Sequence, residues 1–551
     1  MYNTRLNAAP SVPPQATSTT ELSLESAKIE ANTNPDSWVA RSSAAAKTLG
    51  SVKPFIEPGL TFPEDGTSDG ITDDAKFYLS YIPKRVVAFF KAALISLVIG
   101  GKRLQAHLTM LTQDGPKPVE ITTHEGVPGV LKVRPEEEAD FLKYRSPLYT
   151  SIATTGVAKQ DALDSCGRQK IKVVSDETFR KMILHTPLSH ALPLDPENPK
   201  FYKLDLSAQF AIDTKNGTTY QVKTVRIPVN PINDERATIE LDTGKVVEAP
   251  APDEKSQTWD LAKLYFQMSW AHAVVGLFHT WVHFGVPDVA AASLTNGVLD
   301  GTIKEGSTLH NLLAPHLRFT MRINNQALNV GRFSAEEPLQ MAHEAFTKTI
   351  AKIVAKEEIV IPRGRRSASP YEYFLHEYKK PIRKFVDTIA SKIDPNEYQA
   401  WIAPLAEHYP GLAKPCFPPS MEEVLTDLIW QVSVVHSSDH HAAYKFRNYG
   451  VSTIPKKFSD ASPDELADPT SLVDSATTTN FRTAVDIFAQ HLDLHPNLDN
   501  RTASANYDFQ GNSEKRAAQT LKSEIQALDT RMKKEGVQFC PATTMLQSVC
   551  L

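Results

Sequence analysis

Residues 428–444 read LIWQVSVVHSSDHHAAY. An apolar run leads into His436 and His440, four positions apart. On a helix, positions i and i+4 stand one turn apart on the same face, so both imidazoles can reach one point. A buried histidine must find a hydrogen-bond partner or a metal. A second apolar stretch, AVVGLFHTWVHFGV at 273–286, repeats the arrangement with His279 and His283. The chain has 17 histidines, and random placement would yield about half an i,i+4 pair. A third pair, His491/His495, is followed at once by Pro496 in polar surroundings, and reads as solvated surface. Either apolar pair alone reads as ordinary core histidine. Two of them, on two long helices, point to a four-nitrogen metal site. No cysteine and no Glu-x-x-His pattern lies beside them, which disfavours structural zinc and a di-iron carboxylate centre.

Three long helices follow from the pattern around these pairs. One is expected over 259–284, with Thr258 as N-cap and Gly285 and Pro287 as its stop. Another starts at Ser420, which forms a capping box with Glu423 directly after Pro418 and Pro419. The last, NSEKRAAQTLKSEIQALDTRMKKEG, carries an apolar stripe of Leu521, Ile525, Leu528 and Met532, and Gly536 suits its left-handed C-terminal turn. DETFRKMIL reads as a short helix, and YQVKTVRIPV and ATIELD as strands. After Gly536 come fifteen residues that end FCPATTMLQSVCL. An end this apolar is expected to be buried, and a buried carboxylate must be paired or bound to a metal.

Composition narrows the class. The 551 residues are 41% hydrophobic and 22% charged, too apolar for a mostly disordered chain. A net charge of -5 argues against nucleic acid as a partner. The four cysteines, Cys166, Cys416, Cys540 and Cys550, form no CxxC motif, so a reducing compartment and a cytoplasmic location are expected. The N-terminus has no apolar signal region, and residues 1–50, rich in Ser, Thr, Ala and Pro, read as a flexible tail. The most apolar stretch, at 86–101, is interrupted by Lys91 and is too short to span a membrane. It reads as a buried helix, with a membrane-surface helix, and hence peripheral membrane contact, as the alternative.

The segments around the histidine pairs resemble lipoxygenases, in the family's order. TWDLAKLYFQ is similar to the family's lead-in to its first metal helix, and LLAPHLRFTMRIN at 312–324 closely resembles its LLxPHxRYTxxIN signature. LIWQVSVVHSSDHHAAY resembles the helix with the third and fourth ligands, and DETFRKMIL a segment before the catalytic core. The resemblance covers about 170–551. It implies a mainly α fold, a helical catalytic domain with a few short strands filling 51–551, while 51–170 hold too few strand signals for the N-terminal β-barrel domain of plant and animal members. It also implies one iron, or alternatively manganese, held by His279, His283, His436, His440 and the carboxylate of Leu551. Four imidazoles and a carboxylate suit iron or manganese better than tetrahedral zinc.

Several positions depart from the family pattern. The first ligand pair is spaced four apart, as in manganese-type fungal members, where many members have five; His272 is therefore a reserve candidate. Asn311 stands where the family has a proline, and Ala443 where it has a glutamine three residues after the fourth ligand. Ala327 falls where the family places a small residue beside the reactive pentadiene, which implies substrate contact and S products; the 327–331 stretch, ALNVG, is otherwise unusual.

The activity implied is dioxygenation. A metal-bound hydroxide takes a hydrogen from a bis-allylic carbon of a polyunsaturated fatty acid, and O2 adds to give a hydroperoxide, with no side chain needed as general base. The alternatives are the same metal fold acting on another polyene or a lipid hydroperoxide, and a catalytically silent lipid-binding paralogue.

Overall fold

A computed structural model describes residues 170–207, 220–230, 235–278, 282–283, 286–321, 369–408, 420–476, 478–479, 482 and 507–549. The expected tail, the 86–101 stretch and His491/His495 lie outside them.

The N-terminal part of the described chain is a helix followed by a small sheet. Helix α1, Asp176–Leu184, is capped by Ser175, whose hydroxyl accepts from the Thr178 amide; Asp176 and Glu177 in its first turn face the positive end of the helix dipole. Strands β1 (Phe201–Asp205), β2 (Val222–Pro228), β3 (Thr238–Leu241) and β4 (Val246–Glu248) form an antiparallel meander in sequence order. Leu204 pairs with Val225, Val225 with Ile239 and Ile239 with Val247, so one row of apolar side chains crosses the sheet and is buried. The sheet packs on helix α2, Gln257–His272.

The rest is helical. Helix α3 covers Val286–Asp300, α4 Thr308–Leu317, α5 Pro370–Ala390, α6 Pro395–His408, α7 Met421–Trp430, α8 His436–Phe446, α9 Pro463–Ala467 and α10 Asn512–Glu535. The Ser420–Glu423 capping box forms in both directions at the start of α7. In α10 the buried residues are Leu521, Ile525, Leu528 and Met532, and Gly536 ends the helix at φ 70°. The expected 259–284 helix differs in detail. Its N-cap is Ser256, and the α-helical hydrogen bonding gives way to a π-helical turn at Ala273–Phe278.

Two apolar clusters form the core. One joins the sheet to α1 and α2; the other joins α3 to α7 and α10. Ala442 belongs to the second cluster and Ala443 to the first, so α8 lies along their seam. Among the described residues, no helix is long and apolar enough to cross a membrane.

Candidate metal centre

Both histidine segments are entered through a π-helical turn. Gln431–Val435 precedes His436, and Ala273–Phe278 precedes the position of His279. A π turn inserts one residue into the α-helical repeat, so every later side chain points in a different direction than an unbroken helix would give it. At α8 the perturbed carbonyls keep partners. Ser433 Oγ donates to the Ile429 carbonyl at 2.5 Å and Ser438 Oγ to that of Val434 at 2.6 Å. Helix α5 holds the segment near both of its ends. Trp430 Nε1 donates to the Leu375 carbonyl at 2.8 Å, and the Tyr371 hydroxyl to Asp439 Oδ1 at 2.5 Å.

Three of the expected ligands come together. His283, His436 and His440 are buried, with one ring nitrogen from each within 4.8 Å of the others. The Nε2 atoms of His283 and His436 are 2.9 Å apart, and those of His436 and His440 are 3.2 Å apart. A single Nε2 carries either one proton or one lone pair, so that of His436 cannot serve both neighbours as a hydrogen-bond partner. Adjacent ligands about 2.1 Å from one ion would stand about 3 Å apart. The donor set therefore fits one metal ion, held through the Nε2 atoms. His279, Leu551 and Ala327 lie outside the described residues.

His272, the reserve candidate, is elsewhere. It is buried, its Nδ1 is 2.6 Å from the Tyr220 hydroxyl, and its ring also bonds the Ser452 backbone. Burial lowers its pKa to about 4, so it is a neutral core histidine. Asn311 has a structural task in its place: its amide donates to the carbonyls of Gly306 at 2.8 Å and Asp508 at 2.7 Å.

The sequence reading missed two sets of neighbours. Behind α8, His190 forms an ion pair with Glu372, close to Tyr371 and Asp439. Burial pushes the Asp439 carboxyl up to about 7, against the opposing pull of His190 and Tyr371. Burial opposes charge on His190, but Glu372, by charge and hydrogen bond, and Asp439 together hold its pKa above the ordinary value. Asp439 was open to suspicion, as an acid inside a histidine helix; nothing local marks His190 or Glu372. The second set binds the C-terminal segment. The Leu546 amide donates to Ser437 Oγ at 2.9 Å, His441 Nε2 is 3.0 Å from Thr544 Oγ1, and His316 Nδ1 is 2.8 Å from the Gln547 carbonyl. Met545, Leu546, Gln547, Ser548 and Val549 are all buried, as the apolar composition implied.

No protein-family model and no curated protein matches the sequence. Solved structures do match in fold. A manganese lipoxygenase of Gaeumannomyces graminis aligns with a TM-score of 0.60 at 13% identity, over 82% of this chain and 98% of that one. A coral 8R-lipoxygenase aligns at 0.56 and 14% identity, over 83% and 82%. A 9R-lipoxygenase from Cyanothece aligns at 0.52 and 13% identity, over 80% and 76%.

Proposed function

Taking as premise that the chain has the mainly helical lipoxygenase fold, we propose that it is a non-haem metal dioxygenase acting on a polyunsaturated fatty acid. The observation that carries this reading is the buried convergence of the His283, His436 and His440 Nε2 atoms. In the proposal His279 and the Leu551 carboxylate complete the ligand set, and residues 51–551 form one catalytic domain behind the tail. The reaction replaces a bis-allylic C–H by a hydroperoxide, with O2 as the second substrate. A bound iron or manganese ion supplies the one-electron chemistry that this C–H cleavage needs.

The chain's own residues do the holding and orienting. With Nε2 facing the ion, each of the three imidazoles must be neutral and carry its proton on Nδ1. The two π turns and the α5 clamp set the direction of the rings. Burial of the three rings and of the 545–549 segment keeps bulk water from the donors. Ala327 is proposed to line the substrate channel.

Iron is the metal proposed, since nitrogen and carboxylate ligands favour Fe(II) slightly over Mn(II). Manganese is the second reading. It is favoured by the four-residue spacing of His279 and His283 and by the fit to the Gaeumannomyces graminis manganese lipoxygenase over 98% of its length. The test is oxygen uptake by protein whose iron and manganese contents are measured, with linoleate and with oleate, which has no bis-allylic carbon. Uptake with linoleate alone is expected. Equal uptake with both, or uptake with neither, would overturn the reading.

A further inference from the structure

We infer that His316 is a positioning residue for the C-terminal segment, holding it through Gln547 against the helix that carries His436 and His440; the inference deepens the reading above and rests on it for the presence of a metal. His316 sits in α4 and is fully buried. Its Nδ1 is 2.8 Å from the Gln547 carbonyl and its Nε2 is 2.8 Å from the Tyr507 hydroxyl. A carbonyl oxygen only accepts, so Nδ1 carries the proton. In the neutral ring Nε2 is then the acceptor, and the Tyr507 hydroxyl donates to it. Burial lowers the His316 pKa to about 4, which keeps this arrangement intact at neutral pH.

The other tethers of the segment show what His316 adds. Ser437 holds Leu546, and His441 meets Thr544. Each follows a member of the imidazole trio by one residue, so the segment lies alongside the trio's face of α8. Both of these tethers belong to α8. His316 comes from another element, 231 positions away in sequence from Gln547, and fixes the segment from a second direction. The four residues after Gln547 reach at most about 14 Å from it. The position of Gln547 therefore limits where Cys550 and Leu551 can be delivered.

Two substitutions separate this role from plain core packing. In His316→Asn the amide nitrogen can take the place of Nδ1 and still donate to the Gln547 carbonyl. In His316→Gln the amide reaches the place of Nε2 and can keep the bond to Tyr507 but not the one to Gln547. Hydrogen exchange of residues 544–549 is measured on metal-free protein, and the rate of metal loss to a chelator on loaded protein. In His316→Gln, exchange should rise about 10- to 100-fold over wild type, as expected when one buried hydrogen bond is lost and its carbonyl left unsatisfied. His316→Asn should stay near wild type, and metal loss should follow the same order. Equal exchange in the two variants, or wild-type exchange in both, would overturn the role. If neither variant folds, Tyr507→Phe decides: it removes only the Nε2 bond, so the segment should stay protected, and exposure as large as in an unfolded segment would overturn the inference. If the wild-type protein binds no metal, the proposed function fails, while the exchange comparison still decides the role of His316.

Discussion

The Nε2 atoms of His283 and His436 lie 2.9 Å apart, although 153 positions separate the residues in sequence. With His440 Nε2 a further 3.2 Å from that of His436, three lone pairs face a single point. Bringing them together without a cation is unfavourable, because each acceptor is removed from water and left opposite another acceptor. The metal-free protein is therefore expected to be the weaker fold. Ligand binding to the native state alone stabilises by about 4 kcal/mol at a thousandfold excess over Kd. Thermal unfolding with chelator, and then with added iron or manganese, should show the midpoint rise with metal; an unchanged midpoint would count against the site.

The buried His272 makes stability fall as pH falls. Its folded pKa is about 4, against an ordinary value of 6.5. Between those values the unfolded chain binds a proton that the native chain does not, so acidification favours unfolding by about 1 kcal/mol per pH unit from this residue. Above the window the residue is neutral in both states and contributes no slope. Urea midpoints from pH 7 to 4.5 should therefore fall less steeply in His272→Phe than in wild type, whatever the baseline cost of the substitution. Parallel curves would show that His272 is not the neutral core residue described.

Gly536→Ala isolates a backbone effect. Gly536 has φ 70°, and a Cβ added there would meet nothing within 4 Å. The penalty is thus conformational, about 1 kcal/mol for an L-residue in the left-handed region. Denaturant unfolding should show that loss, while metal content stays at the wild-type level.

Ala327→Gly tests the proposed channel wall. The lipoxygenase resemblance puts a small residue here beside the pentadienyl radical and associates Ala with S products, so the wild-type product is expected to be mainly S, and the glycine variant, without the methyl that would shield one end from O2, should give more R product at a shifted position. Chiral chromatography of both products reads this directly. An unchanged ratio would place Ala327 away from the radical.

What was legible in the sequence was local. The Ser420–Glu423 box, the 521/525/528/532 stripe and the Gly536 turn each depend on residues within a few positions of one another, and all three are present. The i,i+4 histidines were legible for the same reason. The π turns were not, because no residue type in AVVGLF or QVSVV marks an i→i+5 hydrogen bond. Helices α5 and α6 each contain an internal proline, Pro381 and Pro404, a residue type that from sequence alone argues against a continuous helix. The partners of the C-terminal segment were beyond reach for a third reason. His316 and Gln547 stand 231 positions apart in sequence, and the PHLRF motif shows that a histidine stands there without showing what it holds.

His436 is the hub of the site, since its Nε2 neighbours the other two. Metal content per chain and oxygen uptake with linoleate, measured on the same preparations of wild type and His436→Ala, test it most directly. About one iron or manganese per wild-type chain with oxygen uptake is expected, and loss of both in a variant that still folds. A folded His436→Ala that keeps full metal and full uptake, or an active wild-type protein without either metal, would contradict it.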